Sequence, residues 1–258
     1  MHEASLHEES CFVTLTYSPE NLPGDGSLRK QDFQGFMKRL RARFSCQTIR
    51  YFHCGEYGAQ LGRPHYHACI FGIDFPDKVF YKPAGEARLY SSALLERIWS
   101  YGFCTVGDVT FESAAYVARY IMKKVTGDLA KEHYLCVDND TGEIACDARG
   151  DLCVRQPEYV TMSRRPGIGR AWYQSFFNEV FPSDEVIARG VKCRPPRYYD
   201  NLFEAGGGDL EAVKRSRVER AFKHVADCVP ERLKVRERCV KARVALLKRG
   251  FEGGEREP

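Results

Sequence analysis

The stretch "GRPHYHACIFG", residues 62–72, sets His65 and His67 one residue apart in a run that reads as a strand. In a strand, side chains at i and i+2 share a face. Both imidazoles therefore point the same way, close enough to grip one ion. Neutral imidazole suits zinc, manganese and similar metals. Two histidines satisfied inside an ordinary strand give the same pattern, and H-x-H alone does not decide between them.

A metal doing Lewis-acid work keeps open positions, so two or three protein ligands suffice. The next candidate lies upstream, in "TIRYFHCGEYG" (48–58), a second strand running into a turn. Glu56 offers a carboxylate, a good ligand for hard divalent ions. His53 is its rival. Alternation puts His53 and Glu56 on opposite faces, so one of them serves, and Glu56 is preferred. As a solvated turn residue, Glu56 would hold nothing.

The loop between these two strands is too short for a crossover helix, which makes them antiparallel. Before them, "CFVTLTY" (11–17) alternates as a strand should, and Phe33, Phe36, Met37, Leu40 and Phe44 mark an amphipathic helix over 29–45. After them come a short helix (91–100), a strand (103–110) and the helix "SAAYVARYIMKK" (113–124). Residues 127–157 are polar and read as an inserted hairpin or loop. "SRRPGIGRAWYQSFFNEV" (163–180) is a turn leading into a further helix. This order predicts an α+β fold, an antiparallel sheet layered on helices. The "GGG" at 206–208 is the best linker, followed by two helices, the second opened by Pro230.

Tyr116 and Tyr120 stand four apart and share one helical face. They are either core aromatics or paired nucleophiles. A phenol titrates near ~10, so a nucleophilic tyrosine needs a cation or base beside it. Lys123 and Lys124 follow within a turn. They either assist a phenol or simply complement the helix dipole. Arg164 and Arg165 are candidates for contact with an anionic partner or members of a charged turn.

Composition narrows the class. There is no apolar run long enough to span a membrane, and "MHEASLHEES" lacks the basic-then-apolar pattern of a secretory signal. Eleven cysteines without a C-x-x-C pair argue against a zinc ribbon and a disulfide framework, and for reduced thiols in a cytosolic protein. The 39 Lys/Arg against 35 Asp/Glu leave only +4, but residues 211–258 alone hold 14 against 8. That carboxy-terminal excess suits a phosphate backbone or a solvated helix face.

In combination, "FVTLTY" (12–17), "RPHYHACIFG" (63–72) and "YVARYIMKK" (116–124) resemble the three motifs of rolling-circle replication initiators, the HUH endonucleases. "CGEYG", "SRRPGIG" and "PRYYDNLFE" make the chain similar to initiators of small single-stranded DNA phages, the gokushovirus branch of the microviruses. The resemblance covers residues 10–204. It implies a sheet of about five antiparallel strands, of HUH, ferredoxin-like or RNA-recognition type, flanked by helices. It divides the chain into a nicking domain, 1–205, and a basic helical extension, 206–258. It implies Mg²⁺ or Mn²⁺ on His65, His67 and Glu56, with Tyr116 and Tyr120 as nucleophiles. The expected reaction nicks single-stranded DNA at a viral origin, leaving a 5′-phosphotyrosine and a 3′-OH primer, and later rejoins the strand. The setting is the cytoplasm of a bacterial host, with a host helicase and polymerase as further partners, and a cysteine-rich stretch is expected upstream of "MHEASLHEES". Two other readings stand beside it: an HUH transposase or relaxase, and a non-catalytic module that binds single-stranded nucleic acid.

Overall fold

A computed structural model describes residues 1–58, 61–85, 87–119, 124–136, 143–146 and 149–246. The chain forms two compact units, Met1–Ile168 and Gly169–Pro258.

The first unit is built on a seven-stranded antiparallel sheet in the order β4-β5-β6-β1-β3-β2-β7. Its centre comprises β1 (Ser10–Thr16), β3 (Pro64–Phe71) and β2 (Arg50–Tyr57). β6 (Cys104–Asp108) continues it on one side. The hairpin β4 (Val79–Ala84) and β5 (Ala87–Ser91) forms one edge, and β7 (Tyr159–Met162) the other. The α+β class is borne out, but the sheet has seven strands, not about five. The added strands are edges. β4 carries Pro83, which an edge tolerates, and leaves Val79, Phe80 and Tyr81 exposed, so its sequence shows no burial pattern.

Every residue of β3 is buried, because both faces of the sheet are covered. One face carries Val13, Leu15, Tyr66, Ala68 and Ile70, packed in a single core with Phe33, Phe36, Met37 and Leu40 of α1 (Lys30–Arg43) and with Leu95, Ile98 and Trp99 of α2 (Ala93–Trp99). The opposite face carries Phe12, Thr14, His65, His67 and Glu56, and α3 (Phe111–Arg119) packs there against β2 and β3. Within the polar 127–157 segment, α4 (Leu129–His133) and two isolated bridges, Leu135 with Val154 and Cys146 with Leu152, are described.

The second unit contains α5 (Arg170–Ser183), the hairpin β8 (Val186–Ala188) and β9 (Val191–Cys193), α6 (Arg197–Ala205), α7 (Leu210–Phe222) and α8 (Pro230–Leu246). Its small core joins Tyr173, Val180, Phe181, Val186 and Tyr199, with Phe203 stacked on Phe181 at 4.0 Å. Arg217 of α7 reaches Asp184 and Asp200 at 2.5 and 2.7 Å. The expected division at 205/206 falls inside this unit, at the glycines between α6 and α7. Leu233, Val240 and Val244 of α8 each keep about half their surface in solvent. Among the described residues, no helix is long and apolar enough to cross a membrane, and the cysteines are all free thiols.

Candidate active site

Strand register assembles the site. Antiparallel pairing sets Thr14 and Cys54 on either side of His67, and Thr16 and Glu56 on either side of His65. Paired residues have Cβ atoms ~5 Å apart, within reach of one another's side chains. α3 then closes the face. Ser113, Tyr116 and Val117 are its buried residues, the spacing of a single helical stripe.

These placements produce a continuous polar chain. The Tyr116 hydroxyl donates to Glu56 Oε1 at 3.2 Å. His67 Nε2 lies 2.6 Å from the same oxygen. On the far side of the ring, His67 Nδ1 lies 3.0 Å from Thr14 Oγ1. With Nε2–H given to Glu56, the neutral ring accepts at Nδ1 from the Thr14 hydroxyl. Phe12 stacks on the imidazole at 5.8 Å, nearly parallel, and the Tyr116 ring meets it edge-on at 5.0 Å. The imidazole is thus fixed at both nitrogens and both sides. Glu56, His67, Tyr116 and His65 are 2, 3, 5 and 7% exposed, so the chain is shielded from competing water.

His65 is oriented separately. Its Nδ1–H donates to the Arg63 carbonyl at 2.7 Å, which puts the ring's lone pair on Nε2. Gly58 makes room for it: a Cβ there would stand 3.0 Å from His65 Cε1.

His53 lies on the other face, in the core. Its ring stacks on Phe33, its Nδ1 is 2.7 Å from Thr161 Oγ1, and it is 1% exposed. Burial, reinforced by His67, holds its pKa well below the ordinary imidazole value. The parity argument from the sequence is therefore met: of His53 and Glu56, Glu56 shares a face with His65 and His67.

The donor set for a divalent ion can be tested against this geometry. Among the described residues, no three His, Cys, Asp or Glu side chains are gathered into a ready cage. Glu56 and His67 instead share a proton. Their chemistry fits a divalent ion nonetheless: two imidazoles and a carboxylate on adjacent strands, with the His65 ring presenting its lone pair on Nε2 because Nδ1–H is given to a carbonyl. A cation there has to replace the shared proton.

The remaining expected residues divide in three ways. Tyr120 and Lys123 lie outside the described residues. Lys124 is exposed and makes no ion pair among the described residues. Arg164 and Arg165 are exposed after β7 and line a groove with α1, on the core-facing side of the sheet. The sequence alone assigns Thr14 no partner. Only its register opposite His67 reveals what it touches.

Comparison with known proteins adds an independent line. Residues 10–125 match the family model of the ORF2 class of replication-associated proteins. Replication-associated protein VP4 of Bdellovibrio phage phiMH2K is 29% identical over 236 residues, 88% of this chain and 68% of that protein. Replication-associated protein ORF2 of Spiroplasma virus 4 is 30% identical, over 80% of this chain and 62% of that protein. Replication-associated protein ORF4 of Chlamydia phage 1 is 27% identical, over 78% of this chain and 47% of that protein. The chain thus spans between about half and two thirds of these relatives' lengths. No solved structure gives a significant match.

Proposed function

We propose that this chain, which is similar to these phage replication-associated proteins, initiates replication by nicking single-stranded DNA at a viral origin. The resemblance read from the motifs is borne out; the chemistry is our reading. The observation that carries it is the hydrogen-bonded chain Thr14–His67–Glu56–Tyr116, which links four separate stretches of sequence.

In this reading the Tyr116 oxygen attacks the scissile phosphorus. An O–P bond forms to the tyrosine, the bond to the 3′ oxygen breaks, and the 5′ end stays on the protein. The phenolic proton is lost to water admitted with the substrate, Glu56 being kept as a metal ligand, and the departing oxygen takes up a proton to become the 3′-OH. One phosphodiester replaces another, so the attack of a 3′-OH on the phosphotyrosine can reseal the strand. His65, His67 and Glu56 would hold Mg²⁺ or Mn²⁺, which as a Lewis acid draws charge from the phosphate. Thr14 and Phe12 fix the His67 ring. Tyr120 is proposed as the second nucleophile, for the cut that ends a round of synthesis. Lys123 or Lys124 steadies the phenolate or leaving oxygen, and Arg164 and Arg165 contact DNA. The free 3′-OH would prime a host polymerase, aided by a host helicase, in the cytoplasm of the bacterial host.

The test is incubation with a labelled single-stranded origin oligonucleotide and Mn²⁺, followed by peptide mapping. The expected product is a DNA–peptide adduct on Tyr116 or Tyr120, abolished by EDTA and by the double Tyr→Phe variant. A protein that binds the oligonucleotide equally well before and after both substitutions, and never forms an adduct, is a non-catalytic binding module.

A further inference from the structure

The strongest feature away from the His67–Tyr116 face is on the other side of the sheet, where the proposed DNA contacts Arg164 and Arg165 also lie. A groove of about 690 Å³ runs between α1 and the β2–β7 edge of the first unit. Its walls include Lys30, Lys38, Arg41, Arg50, Arg164 and Arg165, and no aspartate or glutamate. Arg50 is paired with Glu3. The other five cations make no ion pair among the described residues. Such a concentration repels itself unless something anionic covers it.

The cations are ordered. Lys30, Gln34, Lys38 and Arg41 recur at spacings of four, four and three, one stripe along α1. At 1.5 Å per residue, that stripe is roughly 16 Å long. Aromatic rings lie beneath it: Lys30 Nζ sits 4.8 Å from the centroid of Tyr159, and the Arg41 guanidinium 5.8 Å from that of Tyr51. Two buried polar atoms among the lining residues, His53 Nε2 and Tyr159 Oη, have no hydrogen-bond partner among the described residues. A row of cations over aromatic faces is the pattern that tracks a single strand, phosphates on the charges and bases on the rings. Duplex DNA is read by an element that projects into its groove, and this surface is concave.

We propose that this groove is a second track for single-stranded DNA, separate from the His67–Tyr116 face, which holds a stretch of strand away from the nick. The proposal rests on the reading of the chain as a DNA-acting protein. It would give the protein a grip on the strand that does not depend on the phosphotyrosine.

The test uses the full chain with Lys30→Gln, Lys38→Gln and Arg41→Gln combined, all three on the exposed side of α1. Binding to a fluorescent thirty-nucleotide oligo(dT) is followed by anisotropy over a salt series. Loss of three phosphate contacts lowers the slope of log K against log salt by about 2 (at ~0.7 per contact for single strands) and weakens binding about tenfold or more at physiological salt. Covalent adduct formation on a short oligonucleotide spanning only the scissile phosphate is expected to be unchanged, as is the melting temperature. An unchanged slope and affinity overturns the proposal, and so does a slope change seen with duplex DNA but not with oligo(dT). If the wild-type protein forms no adduct at all, the nicking reading fails, while the salt series still decides the groove.

Discussion

Replacing Thr14 with valine isolates one link of the chain that ends at Tyr116. The two side chains are nearly the same shape, so packing on β1 is kept and only the hydroxyl is lost. His67 Nδ1, 3.0 Å from that hydroxyl, then loses it in a ring that is 3% exposed, where water cannot replace it. Removing one partner of a buried hydrogen bond costs ~1–3 kcal/mol. For a unit of 168 residues, that corresponds to a fall in melting temperature of about 2–12 °C. The ring is also freed to rotate about the bond it makes with Glu56. Loss of such an orienting partner typically weakens metal binding ~10–100-fold. The assay is thermal unfolding followed by circular dichroism, without metal and across a Mn²⁺ titration. Thr14→Ser is the control, since it restores the hydroxyl and drops only a methyl group. The reasoning is refuted if Thr14→Val matches the wild type in both melting temperature and Mn²⁺ midpoint, or if Thr14→Ser is as damaging as Thr14→Val.

Two further outcomes follow from the geometry. Gly58→Ala puts a Cβ 3.0 Å from His65 Cε1, so the ring has to move by a few tenths of an ångström. Adduct formation should fall about tenfold at a stability cost of ~1–3 kcal/mol, whereas Gly24→Ala, which meets nothing within 4 Å, should change neither rate nor melting temperature. In the second unit, burial pushes the Asp184 carboxyl up, but hydrogen bonds from Arg217 and Arg220 outweigh it and hold the pKa below its ordinary 3.8. A depressed carboxylate stabilises the fold above its unfolded pKa and loses that contribution as pH falls through the folded value. The stability of the second unit, followed in the full chain by hydrogen exchange over α5–α7, should therefore be flat above about pH 5 and fall steeply below 3.8. Arg217→Leu should remove most of that acid dependence.

The parts of the fold that can be read directly are those whose sequence carries its own periodicity. β1 alternates, α1 repeats its apolar residues at helical spacing, and β3 is an apolar run bounded by glycines, so each lies within a residue or two of its expected bounds. The edge hairpin β4–β5 is invisible to the same reading. Its residues face solvent on much of their surface, Pro83 interrupts it, and its register shifts between Phe80 and Lys82, so neither burial nor alternation marks it. β7 is four residues long and follows a polar segment. Both depend on a neighbouring strand for their existence, and pairing over more than a hundred residues, as between β2 and β7, leaves no local trace.

The same distinction governs the site. The choice between His53 and Glu56 needs only alternation within one strand, and the sharing of a face by His65 and His67 needs only the i, i+2 rule. Thr14 needs the register of β1 against β3, which a slip of one residue would reverse. Phe12 needs the same register, and Tyr116 the docking of α3 on that face.

That register also bears on how a substrate enters. In the closed site Tyr116 is 5% exposed and donates a hydrogen bond of 3.2 Å to Glu56. On the proposed reading, a phosphate has to enter where that contact now lies. A hydrogen bond of this kind is worth ~0.5–1.5 kcal/mol net, whereas several charge-assisted contacts to a phosphate contribute ~1.5–3 kcal/mol each. Substrate binding can therefore open the contact without unfolding α3, whose remaining buried residues, Ser113 and Val117, stay packed on the sheet. If the bond yields to DNA in this way, Tyr116→Phe should leave oligonucleotide affinity intact, or slightly raised, while removing the adduct at that position.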